Sequence, residues 1–378
     1  MIYTSGHRRL FFGAAGAFLV VAATFWIASC SSSKSSTSPQ TYVGAGSQFS
    51  ISIDSPAAGQ FTLTHAPAVG GTSDLTINGT YAARSTGFLV LTVTSVTGSG
   101  SGGVTAPSVG DTAYGLNIPG FVFFLKPMGS NAPLIPMVPS GGCPPSSLAL
   151  NWMLVKPQTA STWTSSTDTY GTFSYDTTTG AANVSSKYEY SGTSDGSMSV
   201  GSGGCSGNSG ILSITGGSGN GADLFLTPSG GAIVHTGTSN ESTGGDQIIF
   251  AMPTPASAIS IPSLAGNYAG IVFQNASGGR NFPVIVTLAA SSNTVSGTGS
   301  QLTDPADASS TAGSVSLTLN ATPGGLNGFA TGTITSNGGP QTLVCEAQPN
   351  AGSTTNTVLA CVGADGSSNF FSVILTSH

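Results

Sequence analysis

The chain has 378 residues, 54 of them glycine and 21 proline, and only 6% are charged, where an ordinary globular chain carries about a quarter. Eight basic side chains stand against 14 acidic ones, so no basic patch is available to neutralise phosphates and no nucleic-acid partner is expected. Solubility must then come from Ser, Thr and Asn, and so sparse a charge steers ligands weakly over distance.

In chain order, the first element is an export signal. A short basic stretch with His7, Arg8 and Arg9 precedes the apolar run LFFGAAGAFLVVAATFWIAS and then Cys30. Ile27-Ala28-Ser29-Cys30 resembles the lipobox of bacterial lipoproteins, an aliphatic residue and two small ones before a cysteine. The resemblance implies removal of residues 1–29 as a signal peptide, diacylglyceryl transfer to the Cys30 sulfur, and acylation of the new amino terminus with a palmitate-type chain. Ile27 stands where Leu is commoner, and Ser31 rather than Asp follows the cysteine, which in such lipoproteins goes with sorting to the cell outer membrane. The alternative is an uncleaved membrane anchor, since Leu10 to Ser29 is about long enough to span a bilayer. Residues 30–40 form a Ser-rich tether, SSSKSSTSPQ after the cysteine. Loss of Arg8 and Arg9 leaves six basic side chains against 14 acidic ones in the mature chain.

Beyond the tether, short apolar stretches rich in Val, Ile, Thr, Phe and Tyr alternate with Gly, Ser, Asn and Pro, the pattern of strands and turns. Strands are predicted at Gln48 to Asp54, Phe88 to Val96, Gly120 to Leu125, Leu148 to Val155, Ala222 to Thr227 and Gln247 to Ala251. No stretch after residue 40 holds a helical period over three turns, so the fold class is all-β. Three prolines in MPTPASAISIPS mark residues 252–263 as a linker between two β domains, 41–251 and 264–378, each a sandwich or a barrel. The second is predicted to be an up-and-down meander of about eight strands: Asn267 to Phe273, Phe282 to Leu288, Thr294 to Ser300, Ser314 to Asn320, Gly328 to Thr335, Thr342 to Ala347, Thr357 to Val362 and Phe370 to Thr376.

With Cys30 set aside, four cysteines remain, an even set that fits two disulfides in an oxidising compartment, the alternative being buried thiols. Cys345 and Cys361 facing each other in an antiparallel pair place the midpoint at Ser353, inside the turn-rich stretch Asn350 to Thr354, so turn and pairing agree. Cys143 and Cys205 pair by elimination. No two cysteines have C-x-x-C spacing and histidine is scarce, so no metal site or cofactor is expected.

The segments Gly79-Thr80-Tyr81-Ala82 and Gly266-Asn267-Tyr268-Ala269 both place Gly-x-Tyr-Ala at a strand start. The second resembles the Gly-x-Trp opening of lipocalin and avidin barrels, with Tyr268 where the tryptophan stands. That resemblance implies a small-molecule site in a barrel mouth.

Gly192-Thr193-Ser194-Asp195-Gly196 matches the G-x-S-x-G nucleophile elbow, which needs a helix after it and a base at His235 or His378. Its continuation, SMSVGSGGCSGNSG, is not helical, so no catalytic residue is assigned. Gly98 to Gly103 matches G-x-G-x-x-G but opens no helix and reads as a hairpin loop. His65, His235 and His378 are isolated in sequence, and Asp304, Asp307 and Asp365 lie in turn-like sequence with too few ligands for calcium. Trp152, Trp163, Tyr188 and Tyr190 form the candidate ligand platform, for Tyr188-Glu189-Tyr190 puts two rings on one strand face.

The reading is a lipid-anchored envelope or cell-surface protein, non-enzymatic, serving binding, adhesion or structure, with the membrane as partner through Cys30. The runner-up is a barrel-type small-molecule carrier, and an envelope hydrolase comes third.

Overall fold

A computed structural model describes residues 39–378 apart from 45–47, 55–57, 68–70, 103, 128–133, 140–141, 145, 157–166, 206–209, 217–220, 237–246, 275–279, 337–338, 350–355 and 366–368. Cys30 and its lipobox, Trp163 and the expected turn around Ser353 lie outside the described residues. Every sheet is antiparallel and closes on itself, giving three eight-stranded barrels in sequence.

The first barrel comprises β1 (Gln40–Gly44), β2 (Phe49–Ile53), β3 (Gln60–His65), β4 (Leu75–Ala83), β5 (Leu89–Gly98), β6 (Thr112–Ile118), β7 (Val122–Pro127) and β8 (Ile135–Pro139), closed by β1 against β8. The second comprises β9 (Leu148–Lys156), β10 (Asp168–Tyr175), β11 (Ala181–Glu189), β12 (Met198–Cys205), β13 (Ile211–Thr215), β14 (Gly221–Leu226), β15 (Ala232–Thr236) and β16 (Gln247–Pro253), closed by β9 against β16. The third comprises β17 (Gly266–Gln274), β18 (Arg280–Ser291), β19 (Thr294–Leu302), β20 (Thr311–Ala321), β21 (Phe329–Ser336), β22 (Gly339–Gln348), β23 (Val358–Asp365) and β24 (Asn369–Ser377), closed by β17 against β24.

The C-terminal meander therefore has the eight predicted strands, as a closed barrel. Residues 41–251, expected as one domain, close as two barrels instead. The expected linker, 252–263, is built into the body. Met252 and Pro253 finish β16, and a 3-10 helix, Ile261–Leu264, lays Ile261 and Leu264 into the third barrel's inner cluster. Its proline sits at the helix start, where a missing N–H costs nothing. Tyr268 then fastens the helix by donating its hydroxyl to the Leu264 carbonyl at 2.7 Å.

Two kinds of strand follow from two kinds of sequence. In β2, FSISI buries Phe49, Ile51 and Ile53 and turns its serines outward, where Ser50 pairs with Thr64 at 2.7 Å. In β7, VFFLKP is buried along nearly its whole length. A strand reads as a continuous apolar run when both faces are covered. Here Phe123 and Leu125 fill the barrel while Val122 and Phe124 join a separate apolar core outside it.

That outer core is common to the three barrels. It combines Leu116, Phe121 and Phe124 of the first, Met153, Phe225 and Phe250 of the second, and Ile271, Phe329 and Ile374 of the third. Phe121 meets Phe250 with ring centroids 4.6 Å apart, and Tyr170 meets Phe329 at 5.2 Å. The fit of Phe121 requires Gly231, because a Cβ there would fall 2.2 Å from its ring and 2.6 Å from the Ala251 carbonyl. Directed bonds cross the same boundaries. Thr86 donates to the Pro305 carbonyl at 2.6 Å, Asn151 donates to the Asn327 carbonyl at 2.8 Å, and Ser372 donates to the Val155 carbonyl. Residues Pro39–His378 accordingly form one compact unit.

Two disulfides complete the frame. Cys345 and Cys361 are register partners on β22 and β23, and their bond lies in the third barrel's inner cluster. Cys143, in the connection between the first two barrels, is bonded to Cys205 at the end of β12.

Candidate functional site

Inward side chains of an eight-stranded barrel just fill its interior. In the first barrel large groups do so, among them Tyr42, Phe49, Phe61, Leu63 and Phe123. The second barrel has smaller inner residues, with Ala182, Ala232 and Ala251 in its cluster and Gly171 on its wall. Ala222, Val234 and Ile249 pack against that cluster and are partly buried.

At one end of this barrel β9 finishes and β10 starts. Trp152 on β9 points inward, and a Cβ on its register partner Gly171 would lie 2.9 Å from the indole nitrogen, so the indole lies against bare backbone. Trp152 is 9% exposed and its Nε1–H has no acceptor among the described residues. One strand further, Lys187 is the register partner of Gly171 and bonds Asp168 through Nζ and Oδ2 at 2.8 Å. On Trp152's other flank, Ile249 pairs with Leu154 and Val234 with Ile249.

The rim carries charge. Asp195, whose N–H donates to the Lys187 carbonyl at 2.9 Å, has its carboxyl raised above the usual range by the neighbouring Asp168 and by desolvation. Glu189, register partner of Asp168, adds a third carboxylate. The same Asp168 holds the Lys187 ammonium, raising it above its ordinary value. Asp168 Oδ1 is buried and receives no donor among the described residues. Asp168 thus holds the Lys187 ammonium, while Glu189 accepts from the Ser191 hydroxyl at 3.1 Å and Lys156 ends β9.

The sequence-predicted platform is divided by this geometry. Trp152 belongs to the interior of the second barrel, whereas Tyr188 and Tyr190 lie on the outer face, packed against the common core. Tyr188 stacks on Tyr170 at 5.2 Å and 15°. The alternation that placed the two tyrosines together also puts Lys187 and Glu189 on the opposite, inward face. That alternation is the signal in the sequence for the inward pair Lys187 and Glu189.

Other candidates resolve locally. Ser194 bridges Tyr188 in a tight hairpin that follows β11, with no helix after it and its hydroxyl taken by the Gly196 N–H at 3.4 Å. His65 is buried at the end of β3, its Nδ1 2.7 Å from Asp74 Oδ1. Asp304 and Asp307 accept N–H bonds from Ala306 and Ser309, both at 2.8 Å, as turn-forming aspartates do. His235 lies in β15 and Asp365 at the end of β23. The two Gly-x-Tyr-Ala segments are not equivalent, since one is in the fourth strand of its barrel and the other opens the first strand of its own.

The fold defines the chain as a fused triple of up-and-down antiparallel barrels. No protein-family model and no curated protein matches it. Among solved structures, a mutant of the vaccine antigen transferrin binding protein B from Haemophilus parasuis Hp5 is similar at 8% identity and a TM-score of 0.26, over 90% of this chain and 75% of that one.

Proposed function

We propose that the chain is a lipid-anchored, non-enzymatic binding protein of the bacterial envelope, tethered through acyl chains on Cys30 and presenting the three barrels as one rigid body. The observation that carries this reading is the common apolar core, which makes the three barrels a single scaffold. Ile27-Ala28-Ser29-Cys30 and the following Ser-rich run support the anchor. Disulfides at Cys143–Cys205 and Cys345–Cys361 fit an oxidising compartment. More than one acyl chain gives stable attachment, each buried methylene adding about 0.8 kcal/mol.

Metabolic labelling with a palmitate analogue tests the anchor. The expected result is a labelled chain in the membrane fraction and an unlabelled Cys30→Ala variant. Equal labelling of the variant overturns the assignment. Protease treatment of intact and of permeabilised cells then separates a surface-facing body from a periplasmic one.

A further inference from the structure

We propose that the Cys143–Cys205 disulfide is a redox-operated lock on β12, released by a dithiol to open the wall of the second barrel. The two disulfides differ in access. Cys345 and Cys361 lie in the third barrel's inner cluster at 0% and 1% exposure, whereas Cys143 and Cys205 are both partly exposed. Disulfide exchange begins with a thiolate approaching one of the sulfurs, so its rate depends on that access. A dithiol therefore reaches Cys143–Cys205 in the folded chain, and reaches Cys345–Cys361 only when the third barrel unfolds.

The strand held by the accessible bond is the one least able to hold itself. Every other strand of the second barrel buries at least one described side chain, and β12 buries none. Gly201, Gly203 and Gly204 offer nothing to pack and lose more backbone freedom on ordering than other residues do. Val200 and Cys205 are what β12 lays against the inner cluster, and its ladder to β11 is irregular between Ala182 and Asn183. The disulfide ties the last residue of this strand to Cys143, 62 residues earlier, in the connection ahead of β9. For β12 the bond thus takes the place that buried side chains have in its neighbours.

Release is an exchange with a dithiol, such as the Cys-x-x-Cys pair of an envelope oxidoreductase. One thiolate of the pair attacks a sulfur of Cys143–Cys205, forms a mixed disulfide and expels the other sulfur as a thiolate, which takes up a proton. The second thiol of the pair resolves the mixed disulfide. Cys143 and Cys205 end as thiols and the dithiol ends as a disulfide, so two electrons and two protons pass to this chain. With its tie gone, β12 leaves the wall between β11 and β13 and uncovers Leu212 and Ile214 of the inner cluster.

The test uses the full chain carrying Cys30→Ser, in which Cys143, Cys205, Cys345 and Cys361 are the cysteines that remain. The folded protein is held in graded dithiothreitol, alkylated and peptide-mapped, and amide hydrogen exchange is followed on the same samples. Cys143 and Cys205 are expected to be alkylated at a dithiothreitol concentration about tenfold below that needed for Cys345 and Cys361. Exchange in Met198–Cys205 should become about tenfold faster on that reduction, while β17 to β24 stay protected. Cys143→Ser with Cys205→Ser should show the fast β12 exchange without reductant and no further change on adding it. If that double variant does not fold, the order of alkylation and the exchange of the parent chain still decide. An equal reductant demand for the two disulfides, or reduction of Cys143–Cys205 with β12 exchange unchanged, overturns the proposal. The chain tested lacks Cys30, so the lock and the lipid anchor stand or fall separately.

Discussion

Replacing Glu346 by glutamine should remove a pH dependence from the junction of the second and third barrels. Glu346 lies on the outer face of β22, fully buried, between Phe329 and Ala360 on the neighbouring strands. Its Oε1 accepts the Met252 N–H at 3.0 Å across the junction, while Oε2 has no partner among the described residues. Burial drives its carboxyl well above the usual range, against a smaller opposite pull from the Met252 N–H. The folded chain therefore holds a proton that the unfolded chain releases near pH 4 to 5. Its contribution to stability is complete below the unfolded value and is lost as pH rises toward the folded one, by about 1.4 kcal/mol per pH unit in that window. Glu346→Gln keeps the acceptor for Met252, carries no charge at any pH, and adds a buried amide N–H₂ in place of Oε2. That group costs about 1–3 kcal/mol at every pH. Urea unfolding from pH 5 to 9 should show stability falling faster with pH in the parent than in the variant, so that the two curves converge as pH rises. Parallel curves would refute a protonated Glu346 at this junction.

Further outcomes follow from the common core and its frame. Phe329→Ala removes a fully buried ring that packs at a tilt against Tyr170 of the second barrel, and thermal or denaturant unfolding should show a loss of about 3–5 kcal/mol. Gly231→Ala puts a methyl 2.2 Å from the Phe121 ring and 2.6 Å from a backbone oxygen that cannot move away, with an expected cost of about 1–3 kcal/mol in the same assay. Replacing Cys345 and Cys361 together by alanine opens a loop 16 residues long and should destabilise the chain by about 3 kcal/mol in the chain-entropy model, measured against the parent without reductant.

The third barrel was legible because its strands are long and rhythmic, with both face patterns intact from β17 to β24. The second was not recognised as a separate barrel. β12, MSVGSGGC, offers Val200, Gly203 and Cys205 to the interior, too little apolar contrast to announce a strand. The connection at 140–147 is composed of Pro, Ser, Gly and Cys, as are many loops of this chain, so nothing marked it as a boundary. Continuous runs such as GFVFFL and LALNWMLV did carry the information that two faces are covered. What covers the second face depends on which barrels meet, and no local pattern encodes that. For the same reason Tyr188 and Tyr190 were placed on one face correctly while the face itself was assigned to a ligand instead of to the common core.

The low charge of the chain and its closed sheets are linked. An open antiparallel sheet exposes unpaired N–H and C=O groups at its edges, and soluble proteins guard such edges with lysines, prolines or covering elements. With eight basic residues in 378, this chain has few lysines for that task. Closing each sheet on itself removes the edges, so hydroxyl-rich outer faces such as Ser50, Ser52, Thr62 and Thr64 suffice for solubility. Closure has a second consequence, because a barrel whose faces are inner and outer can bury the outer one only against another body. The three barrels do this for one another through Phe124, Phe250 and Phe329. The described carboxyl groups Asp168, Glu189 and Asp195 stand at one end of the second barrel, beside the Lys187 ammonium that Asp168 holds.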